Sequence, residues 1–311
     1  MRILSLLSLL FTLTAFAGQS VPQQVLESTA FVIEESFVIP DRGIEIARAL
    51  RTKQIPSDLT GKALADAITN AIWSIEDDGH LNVRFDPTKA DTPLASKDEI
   101  RERLEQRGPM LPPNMSDEPQ VSSRMEGSGG VIELLSFERR PGAEEAIAAA
   151  MAKLAGARSI IVDLRKNRGG SQFVVDFLAS YFFPQDHGVL IRSHFRGMPH
   201  PLVSYVVPTP TREFENVPVA ILISEKTFSA GEAFAYVLQQ FGRAEVIGTK
   251  TRGGGRPNRF VDIGAGYVVS VSIGASEHPK TGKGWQTTGV IPDVPVKTEE
   301  ALSVAMKRLK K

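Results

Sequence analysis

Three short segments of this chain carry residues that could do chemistry together. Thr227-Phe228-Ser229-Ala230-Gly231-Glu232-Ala233-Phe234 follows the apolar run Val219–Ile223 and reads as a strand passing into a helix. A serine at such a turn presents its hydroxyl at the end of a sheet. Free N–H groups of the helix's first turn lie beside it, placed to hold a developing oxyanion. That chemistry is nucleophilic attack on an acyl group. A serine at a helix start is also a common N-cap with no chemistry. Thr227 stands where a G-x-S-x-G elbow has its first glycine, so the segment is not that motif. The second segment is Asp163-Leu164-Arg165-Lys166-Asn167-Arg168-Gly169-Gly170, again between an apolar run and a helix pattern. Paired glycines let backbone N–H groups approach a bound atom closely, or simply make a capped βα turn. The third is His80, behind Asp78-Gly79. Neutral imidazole is the commonest base for a serine, although a lone histidine is often structural.

These residues need a scaffold. Residues 22–38 are apolar at helical spacing (Val25, Leu26, Phe31, Val32, Phe37), and Pro40-Asp41 punctuates them. A second helix is predicted over about 42–53 with Ile44, Ile46, Ala47 and Leu50. A third starts near Ser57 or Thr60 and runs to Glu76 on a stripe of Leu64, Ala67, Ile68, Ala71, Ile72 and Ile75. Three short helices with polar outer faces predict an N-terminal helical bundle over 18–85, closed by Asp77-Asp78-Gly79 and the strand-like alternation from His80 to Phe85. Residues 86–122 are poor in apolar side chains and hold Pro87, Pro93, Pro109, Pro112, Pro113 and Pro119, which predicts a linker with one charged helix at 97–107. From 123 to 311 the texture is α/β. Strands are expected over 131–137, 159–164, 189–195, 217–224, 246–247 and 267–273, and helices over 144–154, 172–183, 230–241 and 299–310. Such alternation predicts a layered domain with a partly parallel sheet.

Composition narrows the function. Lys plus Arg equals Asp plus Glu at 36 each, so no field favours nucleic acid or an anionic membrane surface. There is no cysteine, which excludes disulfides, thiolate metal sites and cysteine nucleophiles. The five histidines (80, 187, 194, 200, 278) show no metal-ligand spacing, and neither a metal nor a cofactor is expected. Arg2, the apolar run from Ile3 to Phe16 and Ala15-Phe16-Ala17 read as a signal peptide over 1–17, with a mature chain from Gly18 exported to a periplasm or the exterior. No other apolar stretch approaches the length of a membrane span.

The segments also carry a resemblance. "DLRKNRGG" resembles the DLRxNxGG segment of the C-terminal processing (tail-specific) proteases. "VPVAILISEKTFSAGEAFAYVLQQFGRAEVIGTKTRGGG" resembles their nucleophile segment, and "GVIPDVPV" their GVxPDxxV strand. "DDGHL" behind three helices resembles the branch that contains the tricorn core and the retinoid-binding modules of photoreceptors. The resemblance covers 24–85 loosely and 130–297 well. It implies a ClpP/crotonase-like α/β core and a serine-type peptidase that cleaves a peptide or protein substrate through an acyl-enzyme. Ser229 matches the nucleophile. Ala230 N–H and one of Gly169 or Gly170 match the oxyanion donors. The family's lysine branch has TFGKG after the nucleophile; here Thr251-Arg252-Gly253-Gly254-Gly255 puts Gly254 at the lysine position, and Lys250 lies four residues too early. The resemblance therefore assigns the base to His80. The histidine branch carries W-E-G-x-G-V, whose Glu orients the catalytic residues. This chain reads Trp285-Gln286-Thr287-Thr288-Gly289-Val290. Gln286 cannot stabilise an imidazolium by charge. On this reading Gln286→Glu raises turnover at least about tenfold, unless an acid such as Asp78 or Glu277 already compensates. No PDZ-like segment is evident, which points to short peptides or an unusual substrate. The alternative is a binding module of the same fold, holding a peptide or apolar ligand, with Gln286 as its support. An acyl-CoA enzyme of crotonase type does not fit an export signal.

Overall fold

The computed structural model describes residues 20–106 and 120–310; the expected signal peptide and residues 107–119 lie outside the described residues. In chain order the first half contains α1 (Val21–Ser36), α2 (Pro40–Arg51), α3 (Gly61–Trp73), β1 (Asn82–Phe85), α4 (Lys97–Glu105), β2 (Val121–Glu126), β3 (Gly129–Leu134), α5 (Ala143–Ala152), β4 (Ile160–Asp163) and α6 (Gln172–Ala179). Then follow β5 (Val189–Phe195), β6 (Leu202–Tyr205), β7 (Val219–Ile223), α7 (Ala230–Gln240), β8 (Glu245–Gly248), β9 (Asn258–Gly264), β10 (Tyr267–Ser272), β11 (Gly274–Glu277), β12 (Val294–Pro295) and α8 (Ala301–Leu309). The chain divides into two compact units that are not linear halves.

The first unit takes the chain up to Glu76, residues from Leu81 to 106, and Phe260–Val271. Proline in the first turn starts both α1 and α2, where its missing N–H costs nothing. Val25, Leu26, Val32 and Ile33 of α1 and Ile46, Ala47 and Leu50 of α2 are fully buried. Arg51 of α2 holds Glu27 and Glu34 of α1. α3 is fastened to β1 by polar bonds. Val83 N–H donates to Thr69 Oγ1 at 2.9 Å, and Trp73 Nε1 donates to the Leu81 carbonyl at 2.8 Å. β1 pairs antiparallel with β10, Phe85 opposite Tyr267, in a three-stranded sheet completed by β9.

This corrects the expected organisation. The N-terminal unit is a helix-and-sheet unit rather than a three-helix bundle, and its boundary is not at 85. Residues 267–273, expected as a core strand, mostly belong to it. The physical reason is that β1 needs a partner for its backbone groups, and that partner comes from far along the chain. The first part of the expected linker is also packed rather than free. Leu94 bridges Gly264, Arg103 donates to the Asp262 carbonyl, and a Ser96–Glu99 capping box starts α4.

The second unit holds Asp77–His80, residues 120–259 and residues 272–310. Its six-stranded sheet has the order β12-β8-β7-β4-β3-β2, parallel except where β2 meets β3 antiparallel. Strands covered on both faces alternate between two cores. Ile132, Ile160, Val162, Ile221 and Ile223 join the core that includes Phe137, Phe182 and Phe234. Val131, Ile161, Ala220 and Leu222 pack with Ala301 and Ala305 of α8. A second sheet has the order β11-β5-β6. β4 and β7 are parallel neighbours, with Asp163 opposite Leu222, so the turns that follow them leave the same end of the sheet side by side.

Asp176 on α6 is buried, and burial pushes its carboxyl up to about 6 from 3.8, against the Gln172 side chain, which donates to it at 2.7 Å. The folded chain therefore holds this proton more tightly than the unfolded chain. The group costs nothing below about pH 4 and costs increasing stability as pH rises through 6. Asp176→Asn should stabilise the protein at pH 8, by at most about 3 kcal/mol, and leave it unchanged near pH 4. Urea midpoints at the two pH values check this; an equal effect at both would contradict it.

Candidate active site

The turn after β7 is tied to the turn after β4. Thr227 Oγ1 accepts the Ser224 N–H and donates to the Leu164 carbonyl, and Phe228 N–H donates to the Asn167 carbonyl. The chain then enters α7 through Ser229, whose φ of 53° and ψ of −119° are unusual for a residue with a side chain. Such a conformation persists only where its surroundings hold it, and it is often part of a site. Ser229 Oγ is 3.0 Å from His80 Nε2, within hydrogen-bond reach. The serine occupies the cap position of α7, and its hydroxyl faces an imidazole.

His80 is buried and its ring lies on Phe228, with centroids 4.6 Å apart. Asp78 lies behind it, completely buried. It accepts the His80 backbone N–H at 2.9 Å, the Ser272 hydroxyl at 2.8 Å and Arg256 Nη1 at 3.0 Å. Its Oδ1 is 3.9 Å from His80 Nδ1, beyond a hydrogen bond and well inside the range of a charge interaction.

The two glycines have different surroundings. Gly169 N–H donates to Asn167 Oδ1 at 2.9 Å, and Asn167 Nδ2 donates to the Leu134 carbonyl, so that amide is committed. Gly169 has φ of 106°, and a Cβ there would stand 2.7 Å from Ser229 Cβ; only glycine allows this approach. The amides of Gly170 and Ala230 donate to no other described group. Both residues line the cleft beside Ser229, with Gln172, Ala233, Ser276 and Trp285.

Gly254 closes the other side of His80. A Cβ on it would fall 2.3 Å from the Phe228 ring and 2.9 Å from His80 Cε1, so no side chain fits there while His80 holds this place. Gln286 is not brought to His80. Its Oε1 accepts the Gly255 N–H at 2.8 Å, and its Nε2 is buried without a partner among the described residues. Glu277 pairs with His194 instead, at 3.1 Å. Asp78 is therefore the acid that stands beside the imidazole.

Three participants were not singled out from sequence. Arg256 and Ser272 hold Asp78 and had no local signal. Glu232 did have one, since S-x-x-E at a helix start is a capping-box pattern. It is fully buried and its Oε2 accepts the Ser229 N–H at 2.8 Å. Burial pushes its carboxyl up, opposed by hydrogen bonds from Thr251, Gly254, Gly253 and Ser229. Among the described residues no group of three or more His, Asp or Glu side chains could hold a metal.

A doubly covered, mostly parallel sheet with a strained serine facing a histidine at its strand ends defines an α/β protein of serine-hydrolase layout. The sequence model of Peptidase family S41 matches residues 128–296, more than half of the chain. The chain belongs to that family. It is 25% identical over 188 residues to a "Probable CtpA-like serine protease" of Staphylococcus epidermidis, covering 59% of this chain and 37% of that protein. The protein of the same name in Staphylococcus aureus is 28% identical over 135 residues, covering 43% and 27%. The chain thus spans little more than a third of the length of these relatives at most. Among solved structures, it resembles the photosystem II D1 C-terminal processing protease (TM-score 0.56, 15% identity, 90% of this chain and 94% of that one). It also resembles a lipoprotein from Streptococcus agalactiae (TM-score 0.57, 17% identity, 96% and 99%). Both likenesses are in the fold. No described helix is long and apolar enough to cross a membrane.

Proposed function

We propose that this chain is a serine peptidase of the S41 family that uses a histidine, not a lysine, as its base. The observation that carries the reading is the 3.0 Å approach of His80 Nε2 to the hydroxyl of a conformationally strained Ser229. In the reaction, Ser229 Oγ attacks the carbonyl carbon of a peptide bond while His80 Nε2 takes its proton. The carbonyl oxygen becomes an oxyanion, received by the Gly170 and Ala230 amides. His80 passes the proton to the leaving amine as the C–N bond breaks, leaving an acyl-enzyme. Water, deprotonated by the same imidazole, attacks the ester and frees Ser229 and the carboxylic acid product. Throughout, the Nδ1 side of the ring faces Asp78, whose charge favours the imidazolium. The filled space around Gly254 supports the histidine branch, because a lysine there would displace His80. Export from the cell, with the leader removed before Gly18, belongs to the same reading.

A biotinylated fluorophosphonate applied to the exported fraction of producing cells tests it. The expected result is one labelled species, modified on Ser229, whose mass corresponds to a chain that begins at or near Gly18. An unlabelled, correctly folded chain would turn the assignment to a binding module of the same fold.

A further inference from the structure

Ser229 and His80 are 149 residues apart in sequence, so their approach must be held by groups that touch both sides. Glu232, in the first turn of α7, does this. Its Oε2 accepts the Ser229 N–H at 2.8 Å and the Gly254 N–H at 2.7 Å. Its Oε1 accepts the Thr251 hydroxyl at 2.5 Å and the Gly253 N–H at 2.7 Å. Residues 251–255 form no strand or helix, and the amides of Gly253, Gly254 and Gly255 find their acceptors in the side chains of Glu232 and Gln286. Gly254 is the residue packed against His80 Cε1, and its carbonyl is fixed in turn by Trp285 Nε1 at 3.1 Å. An ordinary capping box needs only the bond to Ser229. The other three bonds go to the segment that walls the imidazole.

We propose that Glu232 is a positioning residue for the Ser229–His80 pair, its buried carboxylate joining the nucleophile's backbone to the glycine segment that sets the imidazole's place. This rests on the peptidase reading for its consequence in rate, and on geometry alone for its consequence at His80. Four donors converge on the group, so an ionised carboxylate satisfies every one. An amide has a single oxygen, and its NH₂ would face two of the donors. Glu232→Gln therefore leaves buried N–H groups unmet rather than merely removing a charge. Burial raises the group's pKa, so keeping it ionised has an energetic cost that a simple helix cap at a solvated surface would not carry.

The test uses the full chain and two readouts. In an NMR titration that follows the His80 Cε1 proton, Glu232→Gln should move the resonance and shift the His80 pKa by about half a unit or more. Hydrolysis of a peptide ester should lose about 10²-fold in kcat with KM little changed. Should Glu232→Gln fail to fold, Thr251→Val, which removes one donor, is expected to show the same changes in smaller measure. A lower melting temperature with an unmoved His80 titration in the folded variant would overturn the proposal and leave Glu232 a helix cap. A wild-type chain that takes no phosphonate would refute the peptidase reading, and the NMR result would still decide this one.

Discussion

Ser229→Ala should fold with a melting temperature close to that of the wild type and lose about 10⁶-fold in kcat on a peptide ester or amide. His80→Ala should be nearly as damaging, and the double variant scarcely worse than either single one, because nucleophile and base act as a unit. The stability expectation comes from the backbone. Alanine at a φ of 53° is as strained as serine, so the strain at 229 neither rises nor falls. The rate expectation comes from the 3.0 Å pair. Without Oγ there is no acyl-enzyme, and without Nε2 the hydroxyl keeps its proton. What survives is the rate enhancement from binding and from the free Gly170 and Ala230 amides. Lys250→Ala should leave the rate unchanged, since Lys250 is an exposed residue four positions before Gly254. A dead Lys250→Ala with an active His80→Ala would return the chain to the lysine branch.

The next largest effect is expected at Asp78. Asp78→Asn should lower kcat by about 10³, the order of a charge interaction at this range, and less than the about 10⁴ of an acid hydrogen-bonded to its histidine, because Oδ1 lies beyond a hydrogen bond from Nδ1. Asp78 Oδ1 lies 3.9 Å from His80 Nδ1, while Oδ2 is held by Arg256 and Ser272. The variant also removes the charge that faces the mostly buried Arg256 guanidinium, so stability should fall by about 1.5–3 kcal/mol, the size of a hydrogen bond to a charged group. Rates must therefore be compared per folded molecule, by circular dichroism at a temperature where both chains are native. Gln286→Glu should change kcat by less than about threefold. This reverses the tenfold gain expected from the sequence. The side chain at 286 serves the Gly255 amide, and a carboxylate can accept that bond as well as an amide oxygen can. A tenfold gain in Gln286→Glu, together with an active Asp78→Asn, would move the orienting role back to position 286.

Much of this site could be read along the chain because its parts are local. A serine between an apolar strand and a helix, and paired glycines in a second such turn, follow from strand and helix periodicity plus the backbone freedom of glycine, all within a few residues. The core strands Ile160–Asp163 and Val219–Ile223 and the helix Ala230–Gln240 lie where their apolar patterns put them, within a residue or two. Helix ends drifted more: the helix expected to reach Phe183 stops at Ala179, and the third N-terminal helix stops at Trp73. The last turns of helices are fixed by packing and capping more than by propensity.

Other facts belong to the folded chain alone. β10 lies against β1 because strand partners are chosen by exposed backbone groups and burial, which leave no mark in either segment's own pattern. Asp78 rather than Gln286 stands behind His80 because Arg256 and Ser272 arrive from distant segments to occupy particular atoms, whereas the Asn167 side chain that takes the Gly169 amide lies only two residues away. Glu232 shows both sides of the division. Its bond to Ser229 is three residues long and legible as a capping pattern; its bonds to Thr251, Gly253 and Gly254 exist only once α7 and the segment after β8 are packed together. Residue type and spacing settle which backbone shapes a short stretch can adopt. Which buried donor meets which acceptor is settled by the tertiary structure, since the choice depends on positions brought together by the whole core.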